Sequence, residues 1–314
     1  MSPRVLPPPR RGPARTGLAD LLEQGLIWSP VPGVLGFKGA ARELFAGLRD
    51  RISRLARAEA EDEWLVPSAL SLETLRRAEY FSSFPQWLTV ASHLGEDESA
   101  LEGVARAEDP RAAIADARCA PSAALPPAAC FHVYDALRDT TLAGGRRVLT
   151  VEGTCWRHEG AAMRPLERGW AFTMREAVCL GSPGEVDAFR ERMLRRGCDL
   201  ARGLGLDGAV VEATDPFYAP TARGKALIQG MKGLKWELLL PAGEGRRVAA
   251  ASFNHHETFF GDAFGMRLPG GAPASTGCAA FGLERWFLAL LAAHGSVTAA
   301  LAALADESRE EEHA

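Results

Sequence analysis

The sequence predicts an α+β domain in which helices flank one largely antiparallel sheet. Three observations predict it. Between Cys130 and His256 the chain is a series of apolar or β-branched runs: CFHVYDAL, RVLTVEGTCWRHE, WAFTMREAVCLG, GAVVEATD, KWELLLP and RVAAASFNHH. Gly-rich turns such as LAGG and PAGEG separate them at hairpin spacing. Upstream, Phe37, Ala41, Leu44, Leu48, Ile52 and Leu55 recur at intervals of three and four, one apolar helical face. Downstream, FGLERWFLALLAAHG is an almost wholly apolar helix, and EVDAFRERMLRRGCDLARG (about 183–203) is an amphipathic helix between the strands.

The elements follow in order. Residues 1–16 are a Pro- and Arg-rich disordered tail with no apolar core of a secretory signal. LADLLEQGLI is a short helix. The helix through Leu44 and Leu48 carries Arg42, Arg49, Arg51 and Arg54 on its other face, and the acidic stretch EAEDE ends it. WLVPSAL is a short strand that Pro67 confines to an edge or a strand end. LETLRRAEYF is a helix, PQWLTVASH is extended, and the Ala-, Asp- and Glu-rich residues 95–126 are a helical insertion. TARGKALIQGMKG is a further helix, SVTAALAAL closes the domain (17–306), and 307–314 are an acidic tail.

Composition narrows the function classes. The 314 residues are 47% hydrophobic and 24% charged, an ordinary globular balance. With 36 Lys plus Arg against 40 Asp plus Glu, the net charge of −4 offers no global field for nucleic acid. No apolar run reaches the ~18 residues needed to span a membrane. The six cysteines (119, 130, 155, 179, 198 and 278) are scattered, so a reduced, cytoplasmic protein with thiols in its core or on a metal is expected.

Three stretches carry chemistry: GTCWRHEG (153–160), ERGWAFTMREAV (167–178) and GLERWFLAL (282–290). Arg157 and Glu159 lie two apart on a predicted strand and so share a face. Alone, such a pair is equally a cross-strand ion pair, and Arg285 is equally a helix-end charge. Arginines from separate elements, however, suit bidentate phosphate contact. There is no Walker sequence, no GxGxxG after a strand, no GxSxG and no HExxH.

Taken together, a long helix running into a proline-ended strand (38–67), Arg-x-Glu followed by a Phe-bearing strand (151–178) and Gly-Leu-Glu-Arg opening a helix (277–291) resemble the three signature motifs of class II aminoacyl-tRNA synthetases. ETLRRAEYFSSFP, the DPF at 215–217 and a Cys/Glu/Cys set most resemble the atypical zinc-dependent seryl-tRNA synthetases. They resemble still more their truncated relatives, the amino acid:[carrier protein] ligases.

That resemblance implies a class II catalytic core and a set of roles. Arg157 would hold the α-phosphate of Mg-ATP and Glu159 would read the adenine amino group. Phe172 would stack on adenine, with Arg285 on its other face and against the γ-phosphate. Arg168 would meet the amino-acid carboxylate or the terminal phosphates, Lys235 would add a cation, and Ser252 would line the pockets. Ala249 stands where many synthetases carry a magnesium-binding acid. Cys130, Glu176 and Cys278 would hold one zinc per chain, leaving one tetrahedral position for a neutral α-amino group. Phe253, Phe259 and Phe260 offer bulk that would shorten a side-chain pocket.

The resemblance further implies the activation of glycine or alanine to an aminoacyl-adenylate, then transfer to the phosphopantetheine thiol of an acyl carrier protein. The enzyme would be a cytoplasmic homodimer with no tRNA bound, since neither end carries a tRNA-binding arm. Either the basic helix near 183–203 or the stretch holding Arg223 and Lys225 would receive the carrier. A tRNA-charging seryl-type enzyme and a non-catalytic paralogue are the alternatives.

Overall fold

The computed structural model describes residues 18–218, 227 and 229–312. A seven-stranded sheet organises it: β1 (Asp62–Leu65), β2 (Arg147–Trp156), β3 (Ala171–Gly181), β4 (Ala209–Glu212), β5 (Lys235–Gly243), β6 (Arg246–His255) and β7 (Ser275–Gly282). Their order across the sheet is β1-β2-β3-β7-β6-β5-β4. All neighbours are antiparallel except the edge strand β1, which runs parallel to β2. The expected antiparallel sheet is therefore mixed at one edge, because the chain reaches β2 from β1 through a long connection and not a hairpin.

Five helices matter for the site: α1 (Gly39–Arg57), α2 (Cys130–Ala136), α3 (Pro183–Gly203), α4 (Leu283–His294) and α5 (Val297–Glu312). α1 buries Ala41, Leu44, Leu48 and Ile52, the face its spacing predicts. α3 starts where Ser182 and Glu185 form a capping box and Pro183 takes the first turn. Gly277 lets α3 lie close on the sheet: a Cβ there would come within 2.6 Å of Val186. α5 runs through Glu312, so the acidic stretch continues a helix.

Both faces of the sheet are covered, which explains its near-continuous apolar strands. On one face Ala177, Cys179, Phe253, Ala279 and Phe281 pack with α1, α3 and α4. On the other Val151, Val178, Leu180, Cys278 and Ala280 pack with α2 and the turn at Phe260–Phe264. Complete burial of Trp286, Phe287 and Phe281 stabilises the first core by roughly 2 kcal/mol each.

Three sequence expectations change. CFHVYDAL, expected as a strand, is α2; its residues 130–134 are all buried, and a short run buried in succession carries no period to separate helix from strand. LETLRRAEYF is two helices, Leu72–Arg77 and Tyr80–Ser83, broken at Glu79 with φ 50°. PQWLTVASH begins with a 3-10 turn at Pro85–Trp87 before the strand Val90–Ala91. The insertion holds helices Glu98–Arg106 and Arg111–Ala117, with no buried residue in either. Among the described residues no single helix is long and apolar enough to cross a membrane.

Candidate active site

Register across the central strands builds the floor of one cleft. Glu176 (β3) lies opposite Ala280 (β7), Ala280 opposite Ser252 (β6), and Ser252 opposite Glu237 (β5). In the next row Cys278 lies opposite Asn254, and Asn254 opposite Lys235. Directly paired residues share a face, so these two rows present two carboxylates, a thiol, an amide, a hydroxyl and an amine to one side. Ala280 leaves room at the centre.

At one end of the floor stands the Cys/Glu/Cys set. Ligand atoms of Cys130, Glu176 and Cys278 lie within 4.8 Å of one another, and all three residues are buried. α2 aims its first turn at Glu176. The Ala129 amide donates to Oε1 at 2.8 Å and the Cys130 amide to Oε2 at 3.1 Å, so the carboxylate sits on a helix N-terminus. The Cys278 thiol donates to Glu176 Oε2 at 3.2 Å. Its hydrogen bond with Cys130, and then burial, hold the Cys278 thiol well above its ordinary pKa. The donor set fits zinc: two thiols and a carboxylate converge from three elements. Phe131 and Phe260, ring centroids 5.8 Å apart, wall the cleft beside it. His256 also lines the cleft; burial pushes its pKa down to about 4, so it is neutral at pH 7.

The other end is cationic. β2 stops at Trp156, so Arg157 and Glu159 do not share a strand face as expected; the loop after β2 turns both into the cleft. Arg157 Nε donates to the Pro127 carbonyl at 2.9 Å. Glu159 is ion-paired with Arg168. Arg285, in the first turn of α4, donates to the carbonyls of Glu167 (2.6 Å) and Ala249 (2.7 Å). Burial, with Arg157 close by, pushes Arg285 down to about 10. The guanidinium over Phe172 is that of Arg157, at 5.4 Å. Glu284 is half-buried, and both its carboxylate oxygens accept from the Thr173 amide, at 2.9 and 3.0 Å. Burial pushes its carboxyl up to about 7.

Lys235 bridges the floor to the 215–217 segment, bonding Asp215 at 2.6 Å and Glu237 at 3.0 Å. Burial alone would raise the Asp215 pKa; Lys235 and Gln229 outweigh it and hold Asp215 below its usual value.

The cleft thus gathers Arg157, Glu159, Arg168, Phe172, Glu176, Lys235, Ser252, Cys130, Cys278 and Arg285, named from the sequence. Phe253 is a correction: it is fully buried on the opposite face against Phe281, because β6 alternates and Ser252 takes the cleft side. Arg223 and Lys225 lie outside the described residues. On α3, Arg190, Arg192, Arg195, Arg196 and Arg202 are each paired with an acid. Sequence reading missed Glu237, which supplies a cleft carboxylate one strand away from Ala249, and Asp215; strand register, which no spacing reveals, puts Glu237 beside Ser252.

No family profile matches the chain. It is 35% identical over 263 residues to amino acid–[acyl-carrier-protein] ligase 1 of Bradyrhizobium diazoefficiens, covering 82% of this chain and 80% of that one. It is 29% identical to the type-2 serine–tRNA ligase of Methanopyrus kandleri, covering 80% of this chain but 52% of that protein. Among solved structures, M. kandleri SerRS in complex with A. aeolicus tRNASec superposes with TM-score 0.79 at 25% identity, covering 92% of this chain and 59% of that one. Giardia lamblia prolyl-tRNA synthetase, at TM-score 0.66 and 14% identity, shares the fold. The fold is that of class II aminoacyl-tRNA synthetases, and the chain, a ligase, belongs to the amino acid–[acyl-carrier-protein] ligase family.

Proposed function

We propose that this enzyme condenses a small amino acid, glycine or alanine, with Mg-ATP and transfers the aminoacyl group to the phosphopantetheine thiol of a carrier protein. The observation that carries the reading is the meeting of the Cys130/Glu176/Cys278 set with Arg157 and Arg285 in one cleft. A zinc ion held by that set would supply a Lewis-acid seat for a neutral α-amino group. Ligase 1 and ligase 2 of B. diazoefficiens act, by name, on an amino acid and an acyl-carrier protein, and this chain spans about four-fifths of each.

The amino-acid carboxylate oxygen attacks the α-phosphorus and pyrophosphate leaves. Arg157 and Arg285 face the charge that builds there, in a site where burial strengthens the interaction. Phe172 carries the adenine, and Glu159, released from Arg168, accepts from its amino group. Arg168 is then free for the carboxylate or the terminal phosphates. Lys235 adds a cation at the floor, and Glu237 and Ser252 line the magnesium side. In the second step the carrier thiolate attacks the carbonyl carbon and AMP leaves. Phe131 and Phe260 crowd the amine end and disfavour larger side chains; overlap costs more than an unfilled pocket.

Further parts of the reading concern assembly and place. The protein is a cytoplasmic homodimer built on α1 and β1, where Leu65 is 99% exposed at the open sheet edge. Its carrier contacts the stretch of Arg223 and Lys225. ATP–pyrophosphate exchange across the amino acids tests the first step. Strongest exchange with glycine or alanine is expected; preference for serine with charging of tRNA would make it a tRNA ligase instead.

A further inference from the structure

A stack of flat groups crosses the cleft from one chain segment to another. Phe217, beside Asp215, stacks on Phe84 at 5.0 Å and 24°. Phe84 stacks on Trp87 at 5.3 Å with planes 4° apart. The Arg157 guanidinium lies 5.6 Å from the Trp87 ring and 5.4 Å from the Phe172 ring. Arg157 thus lies over two aromatic rings, with only Nε engaged, on Pro127. Among the described residues its Nη groups have no hydrogen-bond partner, so they remain available to a ligand. An arginine with four rotatable side-chain bonds loses considerable entropy when ordered. Here ring faces order it without using its outer donors.

The backbone holds Trp87 independently of its ring. The Trp87 carbonyl accepts from the His158 amide at 3.1 Å, and the Arg157 amide donates to the Trp170 carbonyl at 2.9 Å. Beyond Phe84, the Gln86 side-chain Nε2 donates to the Pro216 carbonyl at 3.4 Å, and the Tyr218 backbone amide donates to the Ser83 carbonyl at 3.0 Å. Replacing the indole leaves these ties, none of which uses the ring, in place.

We infer that Trp87 is a positioning residue for amino-acid activation: it presses the Arg157 guanidinium flat against Phe172 and presents its free N–H edge to the α-phosphate, while Phe84 and Phe217 buttress the indole from behind. The inference rests on the reading of Arg157 given above. It assigns a task to a residue that touches no reacting atom.

The experiment is pyrophosphate exchange on the full-length enzyme with Trp87→Leu and Trp87→Phe, in wild-type and Arg157→Lys backgrounds. Arg157→Lys keeps the charge but has no plane to sandwich. Trp87→Leu is expected to lower kcat/KM for ATP by about 10-fold, the order of a desolvated cation–π contact. The amino-acid KM should stay within about twofold, and Trp87→Phe should recover most of the loss, because phenylalanine keeps a ring face. In the Arg157→Lys background the same Trp87→Leu change should cost less than about twofold, since coupled residues are non-additive. Equal losses in both backgrounds would overturn the inference, as would an equal rise in the amino-acid KM. Wild-type exchange in Arg157→Ala would instead remove the reading of the cleft itself.

Discussion

The two ends of the cleft are built differently. Cys130, Glu176 and Cys278 belong to a helix start and two central strands, and their ligand atoms already converge. Arg157, Glu159 and Arg168 belong to the loops between β2 and β3: Glu159 and Arg168 are held by an ion pair with each other that a nucleotide would have to break, and Arg157 by ring faces that leave its outer donors free. A metal would tolerate little error in ligand position, which suits a site on regular structure. A nucleotide would bring its own charge, which suits a site whose arginines are kept ordered by other partners until it arrives. The difference predicts that damage at the first end is all-or-none and damage at the second is graded.

The largest effect is expected at the metal end. Protein purified without chelator should contain about one zinc per chain, and Cys278→Ala should lose it together with exchange activity, because the two ligands left no longer close a tetrahedral site. Metal analysis checks this; zinc retained by that variant would move the metal elsewhere. At the arginine end, Arg157→Ala and Arg285→Ala should each cut adenylate formation about 10²-fold or more, by roughly 2–4 kcal/mol of lost transition-state contact. Exchange kinetics read this directly.

Glu284 marks where the graded end is anchored. Its carboxyl is raised from 4.5 to about 7 by burial, so the folded state holds a proton that the unfolded state has released. Stability should therefore fall as pH rises from about 4.5 to about 7 and then level, by ~3 kcal/mol from this group. Glu284→Gln should flatten that slope in denaturant titrations across the range; an unchanged slope would show that the proton is not held there.

Smaller still is the effect at the amine wall. Phe260→Ala should raise exchange with valine or leucine relative to alanine by about tenfold, within the ~1–3 kcal/mol that a methylene-sized change in a pocket supplies. No change in relative rates would relieve Phe260 of any part in selectivity. Sedimentation equilibrium at micromolar protein should give a dimer; a species at 33.7 kDa alone would contradict the assembly.

How much was legible in the sequence follows from what each signal encodes. α1 and α3 were readable because one face of each is polar, and the strands of the central sheet because turns punctuate them. α2 was not, because Cys130 to Tyr134 are buried in succession and so show no helical period. The arginines were legible through the motif order, but their geometry was not: Arg157 sits past the strand end, and its ring partners come from residues 85–87 and β3. Cys130, Glu176 and Cys278 lie too far apart for any local spacing to link them; resemblance named them and strand register brings them together. Phe253 was assigned to the cleft because proximity in sequence was taken for a shared face, whereas a strand turns every second residue away.

In the proposed function one cleft both activates an amino acid and hands it to a carrier thiol. Mass spectrometry of a phosphopantetheinylated carrier protein, incubated with the enzyme, Mg-ATP and glycine or alanine, reads both steps at once. A gain of one aminoacyl group on the pantetheine arm is expected, released by hydroxylamine and absent with the apo carrier. An unmodified carrier alongside aminoacylated tRNA from the same enzyme would contradict it.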